Sequence, residues 1–371
     1  MSEDFDRVLL FTHPNDVIPI LAFAVNSSQP VIVENHAHFS FWLGTSIADV
    51  VICHFPRMVQ AAFQRRRVNN PFFFPMVIID ERAERYSHLT KQEAKKMIGL
   101  DESSICILTV GTREKFLPNH GYNFFSTAKK ITQRYPNAWI LIIGLSPDDA
   151  LVQRQLGKHP PRIRMLGVTD TPFLHYKAAD IFMESFPLSS LGAVQDSIHY
   201  GDACPLYAYG TNRGLLSSHA VYNKDMFGTI IPEIYTEEKY LQYLGELIAD
   251  LPLRRKIVNH AKANLARIWS QHGTYRRTLF ELADSLQHTP HAIRHGIVEV
   301  QSDDVNVAGL SRHKTLKEVS TYFRRSSLEF SPRDNLTLAL LLIRKGVFVK
   351  EALISIVACL VNAATAFLCS K

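Results

Sequence analysis

From residue 8 to residue 270, short runs of consecutive apolar residues alternate with stretches whose apolar positions recur every three or four residues. An unbroken apolar run of that length fits a strand buried on both faces. Its alternation with helical spacing predicts βα units in parallel sheets. Val8–Phe11, Val31–Glu34 and Asp49–His54 read as the first strands, with helices near Val17–Asn26 and Arg57–Phe63. Only about three strands can be found before Pro75, too few for a complete doubly wound domain. The first domain, residues 1–85, is therefore expected to be Rossmann-like but incomplete at its start.

A second domain is expected over residues 86–290. Thr90-Lys91-Gln92-Glu93 has capping-box spacing, and Gly99 ends the helix it opens. Ile105–Gly111, Asn137–Gly144 and Arg162–Gly167 read as strands, and Tyr122–Tyr135 and Pro172–Ala179 as helices. Asp180–Glu184 predicts a further buried strand, Phe186–Leu191 a loop of small residues, and Gly192–Tyr200 a helix. Gly201–Pro205 turns the chain into another apolar run, Leu206–Tyr209, and Glu237–Ala249 and Leu251–Ser270 close the domain as helices. Residues 100–290 thus hold one complete Rossmann-like unit, whose ligands belong outside the carboxyl ends of the strands.

The remainder, residues 291–371, has two parts. Residues 291–335 are polar and aperiodic, whereas Ala352–Leu368 carries no charge over seventeen residues, the lower bound for a bilayer span. Asn362, Thr365 and five alanines make a buried helix, or an interfacial one in peripheral membrane contact, the preferred reading, with membrane insertion as the alternative.

Composition narrows the classes. Hydrophobic residues are 46% and charged residues 20%, which describes a chain able to bury a core. The net charge of +6 is spread out, and Arg65-Arg66-Arg67 lacks interleaved aromatics, so no nucleic-acid partner is expected. Cys53, Cys106, Cys204, Cys359 and Cys369 form no C-x-x-C pair, which favours reduced thiols and a cytoplasmic setting over zinc or disulfides. The acidic start Met-Ser-Glu-Asp-Phe-Asp does not read as a signal peptide.

The strand, small-residue loop and helix of residues 180–200 suit an anion. The first N–H groups of a helix lack internal partners, and its dipole favours negative charge there. The candidates at this end are Ser190, Gly192 and Ala193. Asp196, one turn inside, is placed to accept hydrogen bonds from a diol just beyond two phosphates; taken alone, it is equally a solvated helix residue. Arg113 and Lys115 follow the first strand of this domain, on the same sheet edge, where a cation can meet a diphosphate from the opposite side. His36 and His38 follow the second strand of the first domain and would face the interdomain cleft. They read either as loop histidines or as groups that orient a donor sugar or take a proton from an acceptor hydroxyl. No third ligand completes a metal site with them.

Residues 105–209 resemble the nucleotide-sugar half of GT-B glycosyltransferases, most closely the group containing O-linked N-acetylglucosamine transferase and related bacterial enzymes. Lys115-Phe116-Leu117-Pro118 is similar to that group's Lys-x-x-Pro, and Ala179-Asp180-Ile181-Phe182-Met183-Glu184 to its Ala-Asp strand. Asp196 falls where the group has the acid that holds the ribose hydroxyls. Asn35–Gly44 is similar to an Asn-His-Ala-Asp-His-x-Phe-Trp-x-Gly stretch of bacterial members, with His36 matching cleanly and His38 standing in place of an aspartate. Gly192-Ala193-Val194-Gln195 replaces the Thr or Ser that usually precedes the ribose carboxylate, and Gly167–His175 matches no base-binding loop.

The resemblance implies an α/β, GT-B-like fold of two Rossmann-like domains. It also implies transfer of a hexosyl or N-acetylhexosaminyl group from a UDP- or GDP-sugar. The acceptor would be a glycan, a lipid-linked glycan or a protein, in cell-surface glycan assembly as in bacterial relatives. No cofactor is implied. A metal-dependent enzyme of the other glycosyltransferase class would need Asp-x-Asp after a central strand, and Asp4-Phe5-Asp6 lies at the frayed start. The alternative is a protein that binds the nucleotide sugar without transferring it.

Overall fold

A computed structural model describes residues 5–286 except 14, 15, 17, 24–28, 37–41, 43, 46, 67, 77, 78, 119, 120, 159 and 211–223. The described chain divides into two units, one drawn from Met1–Met76 and Gln271–Lys371, the other from Val77–Ser270.

The first unit is built on strands β1 (Val8–Leu10), β2 (Val31–Asn35), β3 (Val50–Cys53) and β4 (Pro71–Phe73), parallel and in that spatial order. Helices α1 (Ile18–Phe23) and α2 (Pro56–Arg66) lie between them in the chain. β2 and β3 are buried at every position, as their unbroken Val/Ile runs require. β4 lay outside the sequence expectation because three residues opening on proline carry no periodicity. A proline is tolerated at the first position of an edge strand. On the face shared by Ile32, Val50 and Ile52 lies helix α11 (His272–Ser285), which adds Leu279 and Ala283 to one buried cluster with Phe72, Phe74, Leu282 and Leu286 at its margin. The sequence spacing carries the second domain on to 290, whereas the structure groups this helix with the first sheet. Only Leu279 and Ala283 are buried along it, which leaves a thin apolar stripe to read.

The second unit holds a five-stranded parallel sheet in the order β7-β6-β5-β8-β9. Its strands are β5 (Ile105–Val110), β6 (Ala138–Ile143), β7 (Ile163–Met165), β8 (Ile181–Met183) and β9 (Cys204–Leu206). Helices α3 (Lys91–Met97), α4 (Phe124–Arg134), α5 (Ala150–Leu156), α6 (Phe173–Ala178), α7 (Leu191–Gly201), α8 (Lys224–Phe227), α9 (Glu237–Ala249) and α10 (Leu251–Trp269) complete it. The expected capping box at α3 forms: Thr90 accepts from Glu93 N, and Glu93 accepts from Thr90 N. Helix α5 was not expected; its start is set by Asp149, which accepts from Leu151 N and Val152 N.

Two edges of this sheet differ in chemistry. At the amino edge, Asp180 accepts from Cys106 N at 2.9 Å and pairs with Lys95 Nζ at 2.7 Å, with side chains 7% and 6% exposed. Lys95 also donates to Ser104 O at 2.7 Å, and Lys91 donates to the carbonyls of Ala179 and Gly201. At the carboxyl edge, chain order reverses between β5 and β8, the point at which α/β sheets open a crevice for ligands.

Candidate functional site

The loops that leave β5 and β8 flank that crevice and meet. After β5 the chain makes a 3-10 turn, Arg113–Phe116, whose Phe116 is fully buried against Phe124 at 4.8 Å between ring centres. That anchor fixes the backbone of Lys115. Leu188 N donates to Lys115 O at 3.4 Å, and Lys115 Nζ donates to Ser189 O at 2.5 Å. Gly144, at the end of β6 with φ +101°, permits the arrangement: a Cβ there would lie 2.1 Å from Gly111 O, in the backbone that starts the turn.

Burial pulls the Lys115 amine down from its ordinary value, and the carboxylate of Glu184 pulls the other way. Glu184 is fully buried at the end of β8. It accepts from Ser189 Oγ and from Ala208 N at 2.9 Å, so it ties the loop to the chain after β9. In the sequence Glu184 stands only as a strand end. An acidic residue closing an otherwise apolar strand, just before a loop of small residues, was the available signal.

The loop delivers the chain into α7 at Ser190. The first intrahelical bond runs from Val194 N to Ser190 O, so the N–H groups of Leu191, Gly192 and Ala193 lie ahead of it. Ser190 is 4% exposed, makes no capping bond, and its hydroxyl has no partner among the described residues. Among the described residues, a buried hydroxyl without a partner thus stands beside the leading N–H groups of a helix. The amine of Lys115 stands one residue before it.

Asp196 is the sixth residue of α7, about 7.5 Å along the axis from Leu191 at helical rise. Side chains on a helix tilt toward its N-terminus, which carries the carboxylate back toward the leading turn. Burial, with a smaller contribution from the charge of Asp80, pushes it up to about 7. Asp80 is itself held below its ordinary value by its bonds from Arg82, and its N–H donates to Tyr200 Oη at 2.9 Å. Tyr176 and Tyr200 lie close enough to feel the Asp196 charge.

The other expected residues fall elsewhere. Arg113 is exposed, and its Nε donates to Asp149 Oδ2 at 2.8 Å, which ties it to the cap of α5. His38 and most of the Asn35–Gly44 stretch lie outside the described residues, as does Ala352–Leu368. Among the described residues, no helix is long and apolar enough to cross a membrane.

His36 is described, in the first unit, with company that the sequence reading did not foresee. Its Nδ1 lies 2.8 Å from Glu34 Oε2, while the other oxygen, Oε1, lies 2.5 Å from His54 Nε2. His54 Nδ1 is in turn 2.9 Å from Phe74 O. Register explains the cluster. Ile32 pairs with Val50 and Glu34 with Ile52, so alternate residues Glu34, His36 and His54 extend the face of the sheet that Ile32, Val50 and Ile52 begin. Burial pushes the Glu34 carboxyl up, yet the hydrogen bonds from His54 and His36 outweigh it and hold the group below its ordinary value.

No protein-family model and no curated protein matches this chain. Solved structures do. A glycosyltransferase of Rickettsia africae is 12% identical with a TM-score of 0.50, over 70% of this chain and 71% of that one. HepE of Anabaena, solved with UDP and glucose, is also 12% identical with a TM-score of 0.50, over 68% and 72%. At that identity the likeness speaks to architecture. The chain is a mixed α/β protein with parallel sheets, and its fold is that of the GT-B glycosyltransferases.

Proposed function

We propose that this protein transfers a sugar from a nucleotide-diphosphate donor to a hydroxyl-bearing acceptor, without a metal. The observation that carries the reading is the meeting of Lys115 Nζ with Ser189 O, one residue ahead of Ser190 and its unpartnered hydroxyl. A cation, a helix N-terminus and a spare hydroxyl converge there, and two linked phosphates need that combination. The UDP held by HepE and the resemblance to the O-linked N-acetylglucosamine transferase group favour UDP over GDP. They favour a hexosyl or N-acetylhexosaminyl group as the cargo.

In this reading the N–H groups of Leu191, Gly192 and Ala193 and the Ser190 hydroxyl receive the diphosphate, and Asp196 accepts from the ribose hydroxyls. When the bond between the anomeric carbon and the diphosphate oxygen breaks, the electron pair leaves with the phosphate, and Lys115 meets the growing charge. The acceptor oxygen bonds to the anomeric carbon and gives its proton to His36. Arg113, held by Asp149, has at most an outlying part. The acceptor class, a glycan, lipid-linked glycan or protein, follows from the resemblance, and so does a cytoplasmic site of action.

Thermal-shift screening against nucleotide diphosphates and their sugar conjugates tests the donor half. One nucleotide should stabilise the protein, and Lys115→Ala and Asp196→Ala should each abolish the shift. A shift unaltered in both variants would put the nucleotide elsewhere. Release of UDP from a bound UDP-sugar then separates a transferase from a protein that only binds, and His36→Ala should lower that release while leaving donor affinity intact.

A further inference from the structure

We propose that Glu34 and His54 are a positioning pair that fixes His36 as a proton acceptor: His54 holds the Glu34 carboxylate ionised, and Glu34 holds the proton of His36 on Nδ1. The consequence for transfer rests on the reading of His36 given above, whereas the protonation pattern itself does not.

The pattern follows from counting donors. Phe74 O can only accept, so His54 Nδ1 must carry a proton to make the 2.9 Å contact. His54 Nε2 and Glu34 Oε1, 2.5 Å apart, cannot meet lone pair to lone pair, so one more proton lies between them. A carboxylate paired with an imidazolium satisfies both contacts, as would a carboxylic acid beside a neutral ring; the two histidines bonded to Glu34 hold it below its ordinary value and favour the first. The side chains of Glu34 and His54 are 8% and 14% exposed, so the charge on each is matched by the other where water is scarce. The remaining oxygen, Oε2, then accepts from Nδ1 of His36 at 2.8 Å, which leaves Nε2 of His36 as the nitrogen with a lone pair. The His36 side chain is half-exposed, whereas that of Glu34 is buried.

His54 has a specific part in this. With only His36 beside it, Glu34 could itself take up a proton and cease to orient the ring. A second cationic donor keeps both oxygens as acceptors. When His36 accepts the proton of a hydroxyl at Nε2, the imidazolium formed is bonded through Nδ1 to an anion already in place. The other titratable groups at hand do not compete: Cys53 is pushed up to about 12 by burial and by Glu34, and α11 offers His272 against the Phe74 ring and Tyr275 against Phe73. Among the described residues no group of three His, Cys, Asp or Glu side chains is arranged to hold a metal.

Nitrogen-15 correlation spectra of the histidine rings in the whole protein test this, with His36 and His54 assigned by the signals lost in His36→Ala and His54→Ala. In the wild type near neutral pH, His36 should show one neutral tautomer, protonated on Nδ1, and His54 should show two protonated nitrogens. Glu34→Gln makes a sharper demand. Its amide oxygen can still accept from His36, but its NH2 must donate to His54, so His54 Nε2 should lose its proton while the His36 tautomer persists. Glu34→Ala should leave His36 as a mixture of tautomers. A wild-type spectrum with mixed His36 tautomers, or with His54 Nε2 unprotonated, overturns the proposal, and that result requires no variant to fold. Titration of the same samples with UDP-glucose reports separately on the transferase reading: failure to bind would sink that reading and leave the ring tautomers as they are.

Discussion

The two edges of the second sheet use the same kinds of groups to opposite ends. At the amino edge a lysine and an aspartate, Lys95 and Asp180, are buried together and bonded to each other and to backbone. At the carboxyl edge a lysine and an aspartate, Lys115 and Asp196, are half-buried and each displaced from its ordinary protonation behaviour by burial. The difference is pairing. A buried charge bonded to its counter-charge is a fixed part of the fold; Lys115 feels Glu184 without an ion pair, and in the proposed reading it and Asp196 are left for a ligand to meet.

That contrast makes its largest prediction at the paired edge. Asp180→Ala leaves the Lys95 ammonium buried without an anion and should cost about 3–5 kcal/mol of unfolding free energy in urea titrations. The affinity of the molecules that remain folded for UDP-glucose should not change. If both stability and affinity were untouched, the edges would not differ in the way described. Lys115→Ala should do the reverse. Loss of charge-assisted hydrogen bonds of about 1.5–3 kcal/mol predicts a Kd for UDP-glucose raised about 10- to 100-fold by calorimetry, with the thermal midpoint unchanged.

Asp196→Asn should show a smaller loss, about tenfold for one ligand hydrogen bond to a charged group. It also has a signature in pH. The group moves from 3.8 to about 7 on folding, so between those values the folded chain holds a proton that the unfolded chain has released. Stability therefore falls as pH rises through that window. The asparagine variant should melt above the wild type at pH 8, with the gap closing toward pH 4. Wild-type affinity for UDP-glucose, whose phosphates do not titrate there, should rise through about pH 7 and stay flat in the variant. A gap that widened toward acid would reverse the sign and refute the assignment. The smallest effect belongs to Arg113→Ala. Its guanidinium is exposed and already engaged with Asp149, so affinity should change less than about threefold, in keeping with exposed ion pairs worth about 0–1 kcal/mol.

Much of the second unit was legible in the residues. Ile105–Val110 and Ala138–Ile143 are apolar at nearly every position, and the ends of α3 and α7 fall within a residue or two of where Thr90, Glu93 and the Gly201 turn put them. The approach of Lys115 to α7 was legible only as a shared sheet edge. The 2.5 Å contact depends on Phe116 being buried and on Gly144 passing close to Gly111, and neither leaves a trace in local periodicity. In the first unit β4 was too short to carry a pattern. The cluster around Glu34 was invisible for another reason: it joins residues 34, 36, 54 and 74, and only the strand register shows that Glu34, His36 and His54 share a face. Two histidines two apart were conspicuous and Glu34 lies in the strand that leads to them, but His54, which completes the cluster, comes from the end of the neighbouring strand.

The helix His272–Ser285 has a consequence for how the protein comes into being. Leu279 and Ala283 complete the cluster begun by Ile32, Val50 and Ile52, yet they leave the ribosome after the whole of Val77–Ser270 has been made. During translation the five-stranded sheet has all of its strands and closing helices in hand while the four-stranded one still waits for its lid. A nascent chain that has not yet released this helix therefore leaves the face of Ile32, Val50 and Ile52 without Leu279 and Ala283.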